Sequence, residues 1–442
     1  LVLAIASFSL VPTALTMEIR KYESGRFVLH TDLDASQVQQ QLQRMERVLE
    51  LSERYWGKKL SGRIHCYLVH ELRNWSPCDL PAEFAPRVLR QLGGGTDVQP
   101  APSGSRMVAQ AIIYATTLSG IVEHEVVHAY CFQAFGRGGP DWYREGMAEL
   151  FAQQVIPDHQ LPGRPETMER LRGAAPIELA TVLHNPSYQQ LRDSILSGTR
   201  PLQFAATDPL PAFMPRLKSS LDRSERIDQA PTNGKWSLDD EHRLEASKQA
   251  YAEGWALCYL LYHHPQYRER FQCLGKHMLS GAPVRFEQAF AAVLPEIQFE
   301  LRQFAEHVQP GYRSELCRWQ LRAAPRRLSP GESIGIRVHA RRGFQPAEIT
   351  VQRGDRYQCE AAGRWQTGSE DAETDADGAI DGRGQLVAAV IDDASLAATF
   401  PLGRDLTLET NDAGSLYLRC QDALHELEDN RGSILVRLTR LR

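Results

Sequence analysis

The chain has 442 residues, 42% of them hydrophobic and 24% charged, with a mean hydropathy of -0.39. That length predicts two domains, and that composition predicts a soluble globular protein. Fifty basic and 55 acidic residues leave a formal charge of -5, which offers no general pull on nucleic acid or anionic lipid.

Residues 1–16 (LVLAIASFSLVPTALT) precede the first charge at Glu18. The run is too short to span a bilayer and predicts no transmembrane segment. It reads as a secretory signal, with Ala14 and Thr16 near a cleavage point; a buried N-terminal helix is the alternative. Export would put Cys66, Cys78, Cys131, Cys258, Cys273, Cys317, Cys359 and Cys420 in an oxidising compartment. They show no CxxC pair and no zinc-finger spacing. Cys66 with Cys78 is a candidate local bridge, and each cysteine reads equally well as a small buried apolar residue.

Arg26 to Thr31 and Ile64 to Val69 read as strands. Between them, Val38, Leu42, Met45, Val48, Leu49 and Ser52 fall near helical spacing and predict an amphipathic helix over 36–55. Gly93-Gly94-Gly95 through Gly104 reads as a Gly/Pro/Ser-rich loop, and Ala111 to Thr116 as an apolar strand. Mostly helical text runs from there to about Gln309, with a loop predicted over 219–235. Beyond Trp319 short alternating runs take over: Ser333 to His339, Leu386 to Ile391, Ser415 to Arg419 and Ser433 to Leu438. They predict an antiparallel β-sandwich over 315–442, after an α+β domain over 17–314.

His124-Glu125-Val126-Val127-His128 is an HExxH sequence. Histidines four apart share one helix face, so both imidazoles reach one cation. Apolar flanks (Ile121, Val122, Val126, Val127, Ala129, Tyr130, Phe132) suit a buried helix, in which unpartnered polar groups would be costly. Glu125 lies about 100° round the helix from His124, where it can take a proton from an attacking water. A catalytic zinc takes a third protein ligand. Downstream, Gly136 to Pro140 ends the helix, and Asp141 is placed to cap the next one, Asp141 to Phe151. Glu145 and Glu149 share a face of that helix. Gly146 favours Glu145 by letting helices approach closely there, and leaves Glu149 to orient a histidine ring.

HExxH followed by W-x-x-E-G-x-A-E-x-F resembles the gluzincin metallopeptidases, the clan of aminopeptidase N and thermolysin. The resemblance implies a zincin-like fold with mixed sheet and active-site helices, Zn²⁺ held by His124, His128 and Glu145, and a peptide or protein substrate. The spacer of sixteen residues between His128 and Glu145 is shorter than the aminopeptidase branch carries. No GxMEN-type motif is visible, so aminopeptidase activity is not implied. A closer likeness, over roughly residues 20 to 300, is to a bacterial family of peptidase-like domains of unknown function. Its last segment is Tyr251-Ala252-Glu253-Gly254-Trp255-Ala256-Leu257 here. By analogy with the aminopeptidases, Tyr251 would donate its phenolic hydrogen to an oxyanion; a helix-packing aromatic is the alternative.

Leu416 to Arg419, Asp422 and then Asp429-Asn430-Arg431-Gly432-Ser433 resemble the galactophilic PA-I type of bacterial lectin, which holds its sugar through Ca²⁺. The calcium ligands of that family fall on Asp422, Glu426, Asp429 and Asn430, and oxygen ligands on a loop suit a hard cation. Turn chemistry is the alternative, as for Asp375, Asp377 and Asp381. The resulting expectation is an exported zinc metallopeptidase docked on a glycan by its C-terminal domain. A surface- or carbohydrate-binding protein with an idle metallopeptidase-like domain is the second reading, and hydrolysis of a non-peptide bond the third.

Overall fold

The computed structural model describes residues 18–441 apart from 77, 104–105, 157–162 and 188–237. The proposed leader and the loop expected over 219–235 lie outside the described residues. The first helix shows how local sequence sets an element. Asp34 Oδ1 accepts from Gln37 N at 2.9 Å, which caps α1 (Ala35–Trp56), and Gly57 ends it at φ 74°. Val38, Met45, Val48, Leu49 and Trp56 are buried along one stripe of it.

That stripe packs on a five-stranded sheet of β1 (Arg20–Glu23), β2 (Phe27–Thr31), β3 (Ile64–Val69), β4 (Gly94–Ser103) and β5 (Arg106–Thr116), in the order β1-β2-β3-β5-β4. β2, β3 and β5 are mutually parallel, while β1 and β4 are antiparallel edges. Phe27, Leu29, Ile64, Cys66, Leu68, Ile113 and Ala115 face the main core. On the other face Tyr114 and Ile112 meet Trp75, Leu80 and Leu89, the last from α2 (Ala85–Leu92).

The loop expected from Gly93 onward is instead the edge strand β4, a correction with a tertiary cause. A side-chain carbon on Gly94 would stand 2.6 Å from Ile121 Cγ2 and 3.2 Å from Glu125 Cγ; one on Gly95 would stand 2.7 Å from Val88 Cγ1. The glycines are there for close approach, and not to break the strand. Pro100 and Pro102 are tolerated because an edge strand has one unpaired side.

Two helices follow, α3 (Ile121–Phe135) and α4 (Asp141–Val155), then α5 (Gly163–Gly173), α6 (Leu179–His184), α7 (Leu238–His263), α8 (Arg268–Ser280), α9 (Phe286–Ala289), α10 (Leu294–His307) and α11 (Ser314–Cys317). Among the described residues no helix is long and apolar enough to cross a membrane.

The rest is β: β6 (Ser333–His339), β7 (Gln345–Val351), β8 (Arg356–Gln366), β9 (Leu386–Asp392), β10 (Ser395–Pro401), β11 (Asp405–Glu409), β12 (Gly414–Cys420) and β13 (Arg431–Arg440). They form two four-stranded antiparallel sheets, β10-β9-β12-β7 and β11-β8-β13-β6. Inward residues of both, including Ile349, Ala388 and Leu418 from one and Val338, Cys359 and Val436 from the other, share one apolar cluster. The chain is therefore α+β. Trp319 joins its two parts: it stacks on Phe344 and meets Phe299 of α10 and Tyr417 of β12 edge-on. Glu300 Oε1 accepts from Trp319 N at 3.0 Å.

All eight cysteines are free thiols, six of them buried. The candidate Cys66–Cys78 bridge does not form, because Cys66 points into the apolar core while Cys78 is exposed.

Candidate metal centre

Helix α3 is apolar nearly all round, so it sits inside the molecule between the sheet, α1 and α4. Gly120 starts it at φ 90°. Glu123, fully buried, accepts from Gly120 N at 3.1 Å and from Gln41 Nε2 at 2.9 Å, and pairs with Arg44 at 3.1 Å. This fixes the helix start on α1.

One turn further in, the two histidine rings stand edge to face with centroids 4.6 Å apart. Their Nε2 atoms are 3.0 Å apart, and Glu145 Oε2 lies 3.2 Å from each. Three atoms that can each offer a lone pair thus form a small triangle. No placement of protons on two neutral imidazoles satisfies all three sides at once, since two Nε2 protons would face each other and a single one leaves lone pair against lone pair, whereas one cation satisfies all three. Among the described residues, His124, His128 and Glu145 are the one gathered set of at least three His, Cys or carboxylate groups that can hold a metal ion.

The electrostatics agree with that demand for positive charge. Burial opposes a charge on His124, but hydrogen bonds to Glu145 and Glu149 and the nearby Glu125 outweigh it and push its pKa up to about 10. Burial likewise opposes the Glu145 carboxylate, yet the charges of His128 and Arg144 hold it well below the usual carboxylate range.

Glu149, one turn after Glu145, brings Oε2 to 3.4 Å from His124 Nδ1, and its Oε1 accepts from Gln153 Nε2 at 3.0 Å. Among the described residues His128 Nδ1, which is buried, has no hydrogen-bond partner. Gly146 permits a close contact, here between α4 and α7. A side-chain carbon on it would fall on the Gly254 carbonyl oxygen and 2.6 Å from Cys258 Sγ. The same helix α7 brings Tyr251 to the site, with its ring 6.5 Å from that of His124. Burial raises that phenol well above its ordinary range.

Asp141 is not the cap of α4. Pro140 holds that position without a side-chain bond, and Asp141 Oδ1 instead pairs with Arg144 Nη2 at 2.7 Å. Two further residues at the site escape the sequence reading. Thr96, on β4, has its hydroxyl 2.8 Å from Glu125 Oε2 and 3.2 Å from the Glu125 carbonyl oxygen. Arg144 Nε donates to Glu145 Oε1 at 2.8 Å. Nothing in the local text marks Thr96, because its contact depends on the strand lying against α3. Arg144 carried a signal in being the residue next to Glu145.

The four residues of the calcium expectation lie in the β12–β13 connection and are not gathered in the same way. Asp422 is buried, its Oδ1 accepting from Ala423 N at 2.9 Å. Asp429 Oδ2 accepts from Ser369 N at 3.3 Å, and Asn430 Nδ2 donates to the Ala340 carbonyl at 3.3 Å. Glu426 is exposed and lies 3.7 Å from His425. Among the described residues these carboxylates form no metal-holding set. Asp375 and Asp381 accept from the backbone N–H two residues on, at 3.0 and 3.1 Å, which is turn chemistry.

No family model matches the chain, and no curated protein matches it in sequence. Among solved structures, an EclA N-terminal domain, described as a PllA-like lectin, is similar at 21% identity with a TM-score of 0.21, over 24% of this chain and 94% of that one. An IMPa metallopeptidase in complex with T-antigen is similar at 10% identity with a TM-score of 0.16, over 57% of this chain and 27% of that one. Scores at this level carry no fold argument.

Proposed function

We propose that this chain is an exported zinc-dependent hydrolase of the metallopeptidase type, with a zincin-like domain to about residue 314 and a lectin-like β-sandwich beyond it. The observation that carries the reading is the triangle of His124 Nε2, His128 Nε2 and Glu145 Oε2, with sides of 3.0, 3.2 and 3.2 Å. Zinc with ligands at about 2.1 Å in a tetrahedron separates neighbouring ligand atoms by about 3.4 Å, so the set fits it once each side opens by about 0.2–0.4 Å. Two neutral imidazoles and a carboxylate are also a donor set that zinc accepts.

Bound there, zinc supplies Lewis-acid polarisation and activates water for attack on a carbonyl. The chain's own groups supply the rest. Glu125, next in sequence to His124, takes the proton from the attacking water and hands it to the departing amine. Thr96 limits the rotation of that carboxylate by hydrogen-bonding one of its oxygens. Tyr251, kept protonated by burial, donates to the developing oxyanion. Glu149 holds His124 by its far nitrogen and so sets the direction of Nε2. Among the described residues β4 is the sheet edge beside α3, and its outer row of backbone groups is offered to an extended peptide. The β-rich part would dock the enzyme on a glycan-bearing surface.

Hydrolysis of a quenched fluorescent peptide library by zinc-loaded protein tests the reading. Wild type should cleave, and Glu125→Gln should lose the activity while keeping its zinc. A zinc-loaded Glu125→Gln variant that cleaves as fast as wild type removes the catalytic reading and leaves a surface- or carbohydrate-binding protein with an idle metallopeptidase-like domain.

A further inference from the structure

The carboxylate of Glu145 is treated differently at its two oxygens. Oε2 faces both histidine Nε2 atoms at 3.2 Å, whereas Oε1 is held by Arg144 Nε at 2.8 Å. Arg144 is itself clamped, with Nη2 2.7 Å from Asp141 Oδ1, and its side chain is only 14% exposed. Neighbouring residues on a helix point about 100° apart and do not normally face each other. For Arg144 to reach back to Glu145 it must fold across the turn before α4, and the space for that comes from Gly138. A side-chain carbon on Gly138 would stand 2.6 Å from Arg144 Cδ and 3.0 Å from Cγ. Three features of the 138–145 segment, a glycine, an aspartate and an arginine, thus converge on one carboxylate oxygen.

We propose that Arg144 is a positioning residue that makes Glu145 a one-oxygen metal ligand and thereby keeps a further coordination position free for substrate or water. The proposal rests on the zinc reading above. A carboxylate beside a divalent cation can bind through one oxygen or both. A planar guanidinium engaged on Oε1 competes for the oxygen that two-oxygen binding would need. Asp141 fixes the guanidinium in turn, so the restraint comes from the segment leading into α4 and does not depend on substrate. Lysine cannot replace it, because an ammonium on a flexible stem acts as a point charge and does not bridge Oε1 and Asp141 in one plane.

The experiment uses the full chain stripped of metal by a chelator, then titrated with Zn²⁺ against a chromophoric competitor and, separately, with Co²⁺ while the visible spectrum is recorded. Wild type, Arg144→Met, Arg144→Lys and Asp141→Asn are compared. Wild type should bind Zn²⁺ and show the intense Co²⁺ bands of four-coordination. Arg144→Met should bind Zn²⁺ about 10–100-fold more weakly and show the weaker bands of a higher coordination number. Arg144→Lys should remain shifted in the same direction. Should Arg144→Met fail to fold by circular dichroism, Asp141→Asn, which leaves Arg144 in place, should still move the Co²⁺ spectrum. Unchanged Zn²⁺ affinity and Co²⁺ spectrum in a folded Arg144→Met variant, or full recovery of both by lysine, would overturn the assignment. So would an unmoved Co²⁺ spectrum in Asp141→Asn when Arg144→Met does not fold. A wild-type chain that binds no Zn²⁺ overturns the zinc reading and this assignment with it, an outcome distinct from binding that ignores residue 144.

Discussion

Gly146 of α4 lies directly against the backbone carbonyl of Gly254 in α7, so the helices carrying Glu145 and Tyr251 meet with no side chain between them. This contact sets the distance between a ligand candidate and a phenol from separate stretches of chain. Gly146→Ala would place a methyl group on that carbonyl and 2.6 Å from Cys258 Sγ. The helices must then part, at a cost of about 1–3 kcal/mol. The expected outcome is a lower Tm together with weaker Zn²⁺ binding. A variant with wild-type Tm and wild-type affinity would show that the contact has slack.

Thr96 tests the link between β4 and Glu125. Removing its hydroxyl in Thr96→Val frees the carboxylate to rotate without changing the metal ligands. The expected effect is a roughly 10-fold fall in kcat on the peptide library with KM and zinc content unchanged, since a well-aimed base contributes a hundredfold or more. Thr96→Ser should keep most of the rate. Equal rates for valine and wild type would remove Thr96 from the machinery.

The β-rich part should carry an acid-sensitive ion cluster. Asp355 is buried, and Oδ1 accepts from Arg327 at 2.7 Å and from Arg440 at 2.9 Å, while Oδ2 accepts from Gln352 N at 3.0 Å. Burial raises its pKa, but Arg327, Gln352 N–H and Arg440 win and hold it below the ordinary 3.8. A depressed folded pKa contributes stability that is present above 3.8 and is lost as pH falls through the folded value. Asp355→Asn should therefore cost about 1–3 kcal/mol at neutral pH. It should also flatten the steepest part of the acid branch below that value in a Tm-versus-pH series. An acid branch identical to wild type would contradict this.

Trp319 should couple the two parts of the molecule. It touches Phe299 from the helical part and both Phe344 and Tyr417 from the β-rich part. Trp319→Ala is expected to cost about 3–5 kcal/mol and to split one calorimetric transition into two. A single transition at the wild-type temperature would show that the coupling runs elsewhere.

The parts of the site visible in the sequence are the local ones. His124, Glu125 and His128 can be read because helical periodicity alone puts the histidines on one face. Glu145 and Glu149 share a face as well, so the sequence can only rank them. In the structure Glu145 Oε2 reaches both histidine Nε2 atoms, and Glu149 lies at the far nitrogen of His124. Strand β4 was hidden because Gly94, Gly95, Pro100 and Pro102 read as punctuation. Their reasons, an approach to Ile121, Glu125 and Val88 and a place at the sheet edge, are tertiary. Thr96 shares that blindness, since its contact crosses twenty-nine positions of chain. In the β-rich part, β6 was legible from alternation with the bounds it has, while β8 was not, since Ala361, Ala362 and Gly363 blur the alternation that its neighbours show.

The most direct test of the account is metal analysis of the purified full chain beside its His124→Ala and Glu145→Ala variants after dialysis against a weak chelator. The account predicts about one zinc per wild-type chain, as expected of a three-ligand site, and loss of it in both variants without loss of helical signal. Zinc-free wild type, or variants that retain the wild-type stoichiometry, would contradict it.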